Sequence, residues 1–234
     1  MTTATRDELK ELAQAAEADL ADATAEEALA WTARTFGDSW ILASNMQDAV
    51  LIDLAAKAAR PDFDVLFLQT GYHFPETIGL RDAVGATYPG INIINAEADR
   101  SVAEQDAADG PRLYEREPDR CCAMRKVIPL RRTLANYDAW VTGVRRVDAP
   151  TRANTPIVQW DDRNGLVKIN PIAPWSDDEF RRYLDGNQVL ENLLVAEGYL
   201  SIGCAPCTAK VAPGADARSG RWAGQGKVEC GLHG

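Results

Sequence analysis

The sequence predicts an α/β fold, a parallel sheet with helices on both faces, followed by a loop-rich mobile C-terminal tail. Three features lead there. Four short segments are apolar through their centres: WILAS at 40–44, DVLFLQT at 64–70, INII at 91–94 and DAWVTG at 138–143. Runs of that kind suit strands buried on both faces. The stretches between them carry apolar residues at helical spacing, so helices cross over from each strand to the next. Beyond residue 198 the chain turns to loops, and six of its last 21 residues are glycine.

Taken in order, Leu9, Leu12, Ala13 and Ala16 mark a first helix, and Thr24 with Glu27 opens a second through a capping box. A helix over MQDAVLIDLAAKAAR (46–60) follows the first strand. Pro75 begins the next at a position where its missing N–H is harmless. Further helices are expected from about Ser101 and around CCAMRKVIPLRRTLANY (121–137). After a loop from Val144, IVQWD and LVKIN read as a hairpin turning at Arg163-Asn164-Gly165, and Ser176 with Glu179 caps another helix. The expected division is 1–36 for the first helices, 37–212 for the α/β domain and 213–234 for the tail.

A net charge of −10 argues against binding a nucleic-acid polymer or an anionic membrane. Between Arg112 and Arg152, however, ten Arg or Lys face five Asp or Glu. This basic island suits a small polyanion, or else a solvated helical face. No run reaches the length of a membrane span and the N-terminus is acidic, so a cytoplasmic protein without a secretory signal is expected.

Ligands of open parallel sheets bind beyond the carboxyl ends of the strands. Three loops fall there: Ser44–Asp48, Gln69–Tyr72 and Gly143–Arg152. The first leads toward a helix N-terminus, which favours an anion. Five cysteines stand as Cys121-Cys122, Cys204-Ala-Pro-Cys207 and a single Cys230. Such spacing points to metal binding or catalysis before disulfides. Adjacent cysteines suit a four-iron cluster, whose thiolates sit further apart than those on one ion. A structural zinc site and a Cys204–Cys207 redox pair are the alternatives. Arg125 and Lys126 lie three and four residues after Cys122, on its helical face. Cys230, on a glycine-rich terminus, reads as a nucleophile that Lys227, Arg218, Arg221 or His233 could activate.

CCAMRK, SIGCAPC, ADARSGRW, KVECGLHG and TGVRRVDAPTR, as spaced here, closely resemble the assimilatory adenylyl-sulfate (APS) reductases, the iron–sulfur branch of the phosphosulfate reductase family. The resemblance runs from about Trp40 to the C-terminus. It implies an adenine-nucleotide α-hydrolase-like sheet and a 4Fe–4S cluster on Cys121, Cys122, Cys204 and Cys207. It implies Cys230 as the nucleophile that forms an S-sulfocysteine, released as sulfite by thioredoxin or a similar dithiol. It also implies phosphosulfate contacts from Lys126, Arg218, Arg221 and His233, with Ser44, Gly143 and Arg152 near the nucleotide. Sulfate assimilation would be the setting. The family's relatives that take the 3′-phosphorylated substrate lack the paired cysteines, so their presence favours APS. A 3′-phosphoadenylyl-sulfate reductase and a non-catalytic iron–sulfur protein are the alternatives. A nucleotidyl transferase would need glycines that Ser44–Asp48 lacks. The sequence leaves a homo-oligomer open.

Overall fold

A computed structural model describes residues 4–223, 227 and 230–232. Helices α1 (Arg6–Asp19) and α2 (Ala25–Phe36) open the chain, each started by a capping box, Thr5 with Glu8 and Thr24 with Glu27. Strands and helices then alternate: β1 (Trp40–Ala43), α3 (Val50–Ala58), β2 (Asp64–Gln69), α4 (Pro75–Thr87), β3 (Asn92–Glu97) and α5 (Val102–Asp109). Two short helices, α6 (Leu113–Arg116) and α7 (Pro118–Cys122), lead through a π-helical turn at Ala123–Val127 into α8 (Ile128–Leu134). The strands β4 (Ala139–Thr142), β5 (Val158–Asp161) and β6 (Leu166–Ile169) and the helices α9 (Asp177–Gly186) and α10 (Leu193–Ala196) complete it.

The six strands form one sheet in the order β3-β2-β1-β4-β6-β5, parallel except for β5 at the edge. Successive residues of a strand face opposite sides, and the core divides accordingly. Trp40, Leu42, Val65, Phe67, Val141, Val167 and Ile169 enter one cluster, whereas Ile41, Leu66, Trp140 and Leu166 enter a second beneath α8. Leu9, Ala13, Ala16 and Leu29 belong to the first cluster too, so α1 and α2 share the sheet's core.

Three elements depart from expectation. The third strand covers 92–97 instead of 91–94, because all six residues pair with β2 in register. Helix α3 begins at Val50, since Met46 takes a left-handed φ of 57° and Asp48 accepts the Val50 N–H at 3.0 Å. The helix expected over 121–137 is interrupted by the π turn, in which the Ile128 N–H reaches Ala123 O, five residues back. Pro129 supplies the cause: it has no N–H, and its ring crowds the carbonyl one turn earlier. One-turn π-bulges of this sort collect at functional sites.

The chain leaves β1 toward β2 but returns on the other side as β4, so the β1–β4 boundary is the topological switch point where such sheets bind ligands. Ser44 and Gly143 directly follow these strands. A buried pair holds the mouth open in shape: Thr142 Oγ1 donates to Asn170 Oδ1 at 2.6 Å, and Asn170 Nδ2 donates to Pro156 O at 3.0 Å. Among the described residues no helix is long and apolar enough to cross a membrane. Asn170→Ala orphans both Thr142 and the Pro156 carbonyl, so urea unfolding should show a loss of about 2–4 kcal/mol. An unchanged midpoint would contradict the role given to this pair.

Candidate active site

A cavity of about 640 Å³ opens at the switch point. It brings together Ser44, Lys126, Gly143, Arg152, Arg218, Arg221 and Cys230, with Cys204 at one end. His233, assigned with them from the sequence, lies outside the described residues. The nucleotide side is built from loops. Ser44 Oγ accepts the Met46 N–H at 3.1 Å and fixes the turn after β1. A Cβ on Gly143 would meet only Leu51 Cδ2, at 3.9 Å, so this glycine widens the cavity. In the loop after β4, Arg145 pairs with Asp148 and Asp177, both at 2.9 Å, and lies over the Phe180 ring at 4.8 Å. Arg152 meets the same Asp148 at 3.4 Å.

One expectation about charge is corrected. The N-terminus of α3 is not a vacant anion seat. Asp48 takes the Val50 N–H, and the Ala49 N–H donates to Leu190 O at 2.9 Å. The basic island divides: Lys126, Arg145 and Arg152 line the cavity, and others are neutralised outside it. Arg112, Arg120 and Arg132 pair with Glu115, Asp109 and Asp99, and Arg116 bonds the carbonyls of Asp109, Gly110 and Pro111. Arg125 and Lys126 also part company. Arg125 is buried against Gln105 Oε1 (2.8 Å), Thr70 O (2.9 Å) and the Tyr72 ring, tying α5 and the loop after β2 to the π turn. Lys126 instead faces the cavity.

Lys126 and Arg221 are the unusual charges. Lys126 is 8% exposed and enters no ion pair with a described carboxylate. Burial works against its cation, yet Cys204 and Cys230 outweigh this and lift its pKa. Arg221 lies over the Trp222 ring at 4.5 Å, and its Nε is buried without a hydrogen-bond partner. Burial pulls its pKa down, and Cys230 is the leading group opposing that. Both cations therefore line the cavity with Cys230 and feel its sulfur electrostatically, and in so shielded a position an anion would be held strongly.

Cys121, Cys122, Cys204 and Cys207 line one small cavity together with Tyr72, Tyr114, Arg125 and Lys126. Burial pushes the Cys121 thiol up to about 12 and Cys207 to about 11, and the neighbouring thiols add to both shifts. Cys121, Cys122 and Cys207 thus resist ionising in this dry pocket unless positive charge joins them. Among the described residues no group of three or more His, Cys, Asp or Glu stands ready to hold a metal ion. Four cysteines around one small cavity are nonetheless the donor set, in type and number, that a four-iron cluster would take.

The tail carries more structure than its composition suggests. Trp222 is 2% exposed, Arg221 bridges to Thr208, and Leu232 packs on the second core cluster. Lys227, a candidate activator of Cys230, ion-pairs with Asp119 beside the cysteine pair. The sequence placed Thr70 and Tyr72 in a ligand-facing loop but not against the thiols: Thr70 Oγ1 is 3.4 Å from Cys204 Sγ, and the Tyr72 carbonyl accepts the Ala205 N–H at 2.7 Å. The loop after β2 thus walls the thiol pocket, a contact between distant segments that no local pattern announces.

Sheet and site define an α/β protein of the nucleotide-binding kind, with grouped thiols at the mouth of its sheet. Residues 39–210 match the phosphoadenosine phosphosulfate reductase domain, and the chain belongs to that family. A relative from Mycolicibacterium smegmatis named adenosine 5′-phosphosulfate reductase is 60% identical over 233 residues, covering 100% of this chain and 98% of the relative. The crystal structure of phosphoadenylyl-sulfate (PAPS) reductase from Candida auris, a phosphate complex, superposes with a TM-score of 0.73 at 27% identity, over 86% of this chain and 97% of that one. FMN adenylyltransferase from Candida glabrata, with FAD and pyrophosphate, gives 0.56 at 14% identity over 89% of this chain and 69% of that one, a likeness of fold alone.

Asp48, on the cavity wall, has its pKa raised to about 6, first by burial and then by Glu191, against the Val50 N–H, Arg145 and Arg181. The folded state holds this proton more tightly than the unfolded chain, whose value is the ordinary 3.8. Its contribution therefore stabilises below pH 4 and is lost as pH rises through 6. Asp48→Asn stays neutral and keeps an acceptor for Val50. Thermal melts from pH 4 to 7 should show the variant gaining on the wild type up to pH 6 and level above it. Parallel profiles would contradict the shift.

Proposed function

We propose that this protein reduces adenylyl sulfate to sulfite and AMP through an S-sulfocysteine on Cys230, which thioredoxin or a similar dithiol then releases. The observation that carries the reading is the convergence of two cations, buried Lys126 and half-buried Arg221, on the cavity that holds Cys230. The names of relatives at 56–60% identity, all adenosine 5′-phosphosulfate reductases, support the substrate.

The nucleotide lies at the switch point, between Ser44 and Gly143, with Arg152 beside it. Its phosphosulfate extends toward Lys126, Arg218 and Arg221, and His233, which lies outside the described residues, is assigned to the same group by the family resemblance. The Cys230 thiolate attacks the sulfate sulfur. An S–S bond forms, the bridging S–O bond breaks, and its electron pair leaves on the phosphate of AMP, where the cations stabilise it. A thiolate of the dithiol next attacks Cys230 Sγ, and sulfite departs with the S–S electron pair. The second thiol of the dithiol resolves the mixed disulfide. The dithiol thus supplies both electrons. Cys230 must be enclosed for the first step and reachable for the second.

Cys121, Cys122, Cys204 and Cys207 would hold the 4Fe–4S cluster. Bound there, it supplies a charged, polarisable wall beside Lys126 and the sulfate, and no electron need pass through it.

Lys126→Ala tests the reading. Purified anaerobically, it should keep its iron and sulfide while kcat/KM for APS falls on the order of a hundredfold or more, as for loss of a group that stabilises transition-state charge. Wild-type kinetics, or equal turnover of the 3′-phosphorylated substrate by the unaltered protein, would contradict it.

A further inference from the structure

Residues 203–209 and 220–222 run side by side as a short ribbon. Thr208 and Arg221 form an antiparallel bridge, the Ala209 N–H donates to Gly220 O at 2.8 Å, and the Trp222 N–H donates to Cys207 O at 3.0 Å. Within it the Gly203 N–H reaches Thr208 Oγ1 at 3.1 Å. This pairing lays the Arg221 side chain across the backbone of Gly203, the residue before Cys204. A Cβ on Gly203 would lie 2.3 Å from Arg221 Nη2, 2.5 Å from Cζ and 2.9 Å from Nη1. Those separations are well inside van der Waals contact, so any side chain at 203 displaces the guanidinium.

Backbone conformation gives no competing reason for a glycine here. Gly203 lies outside the left-handed region that Gly198 and Gly214 occupy. Its neighbour in the ribbon is a useful contrast. A Cβ on Gly220 would lie 2.2 Å from the Ala209 carbonyl oxygen, so substitution there breaks the ribbon itself. At Gly203 the obstacle is the end of a flexible side chain, which can move aside and leave the fold intact.

We propose that Gly203 is a positioning residue. Its missing side chain sets the place of the Arg221 guanidinium beside Cys230, so the loop carrying Cys204 and Cys207 and the cation that grips the phosphosulfate form one unit. The inference rests on the role given to Arg221 in the proposed function. It is distinct from a packing requirement because it acts through a single other residue.

The test is a double-mutant cycle on the full-length protein with its iron measured throughout, using Gly203→Ala, Arg221→Ala and the double variant. Gly203→Ala should retain iron and melting temperature while kcat/KM for APS drops on the order of a hundredfold, as a displaced substrate-positioning group does. In the Arg221→Ala background the same change should cost nothing further. A full, additive loss there would overturn the inference, because the glycine would then act elsewhere. So would wild-type kinetics for Gly203→Ala alongside a damaged Arg221→Ala. A harmless Arg221→Ala would instead overturn the role of Arg221 in the proposed function. Should Gly203→Ala lose its fold, melting temperature decides: recovery in the double variant, where no guanidinium obstructs the new methyl, sustains the inference, and an equally unstable double variant overturns it.

Discussion

Two cations largely withdrawn from water, neither ion-paired with a carboxylate among the described residues, set the terms for the rest of this structure. Lys126 and Arg221 face one cavity with Cys230, and a charge so placed is costly unless something anionic meets it. The Cys204 and Cys230 sulfurs favour the Lys126 cation against its burial and so offset part of that cost. A dianionic substrate supplies the remainder only when it binds. The resting site is therefore shaped for charge that arrives with the ligand, which is how preorganised polar groups favour a transition state over water.

Placing those charges requires distant parts of the chain to agree. Lys126 stands on the π turn that Pro129 provokes, while Arg125, one residue earlier, is spent on fastening that turn to Thr70 and Gln105. Arg221 comes from the ribbon beside Cys204 and Cys207, shielded by Trp222. The thiol pocket thus lies between the two cations' supports, with Arg125 and Lys126 both in its wall. Assembly of a cluster there would stiffen both supports at once.

Much of the architecture was legible in the amino-acid order. Apolar runs marked the first, second and fourth strands, and the Thr24–Glu27 and Ser176–Glu179 patterns marked two helix starts, because these signals act within a few residues. The cysteines were legible for the same reason of type and spacing. The cations that line the cavity were named only by the family resemblance, since type and spacing alone did not single them out. Arg120, Arg125, Arg132 and Lys126 look alike in sequence, and only Asp109, Gln105 and Asp99, each brought in by the fold, separate the neutralised from the available. The occupied N-terminus of α3 was hidden similarly, since the Leu190 carbonyl that takes the Ala49 N–H lies far along the chain. Trp222 made an anchor of a segment whose glycines suggested none.

In the proposed mechanism the chemistry passes through the Cys230 sulfur, and the covalent intermediate it calls for separates the reaction into two halves. The direct measurement is a single turnover with APS and no reductant, following AMP and the mass of the protein. The wild type should release about one AMP per active site and gain one sulfonate on Cys230, as a covalent intermediate requires. Cys230→Ser should keep its iron and release none, because a serine hydroxyl is a far poorer nucleophile at neutral pH. A normal burst of AMP from Cys230→Ser would mean that another group attacks the sulfur, and the account would be wrong at its centre.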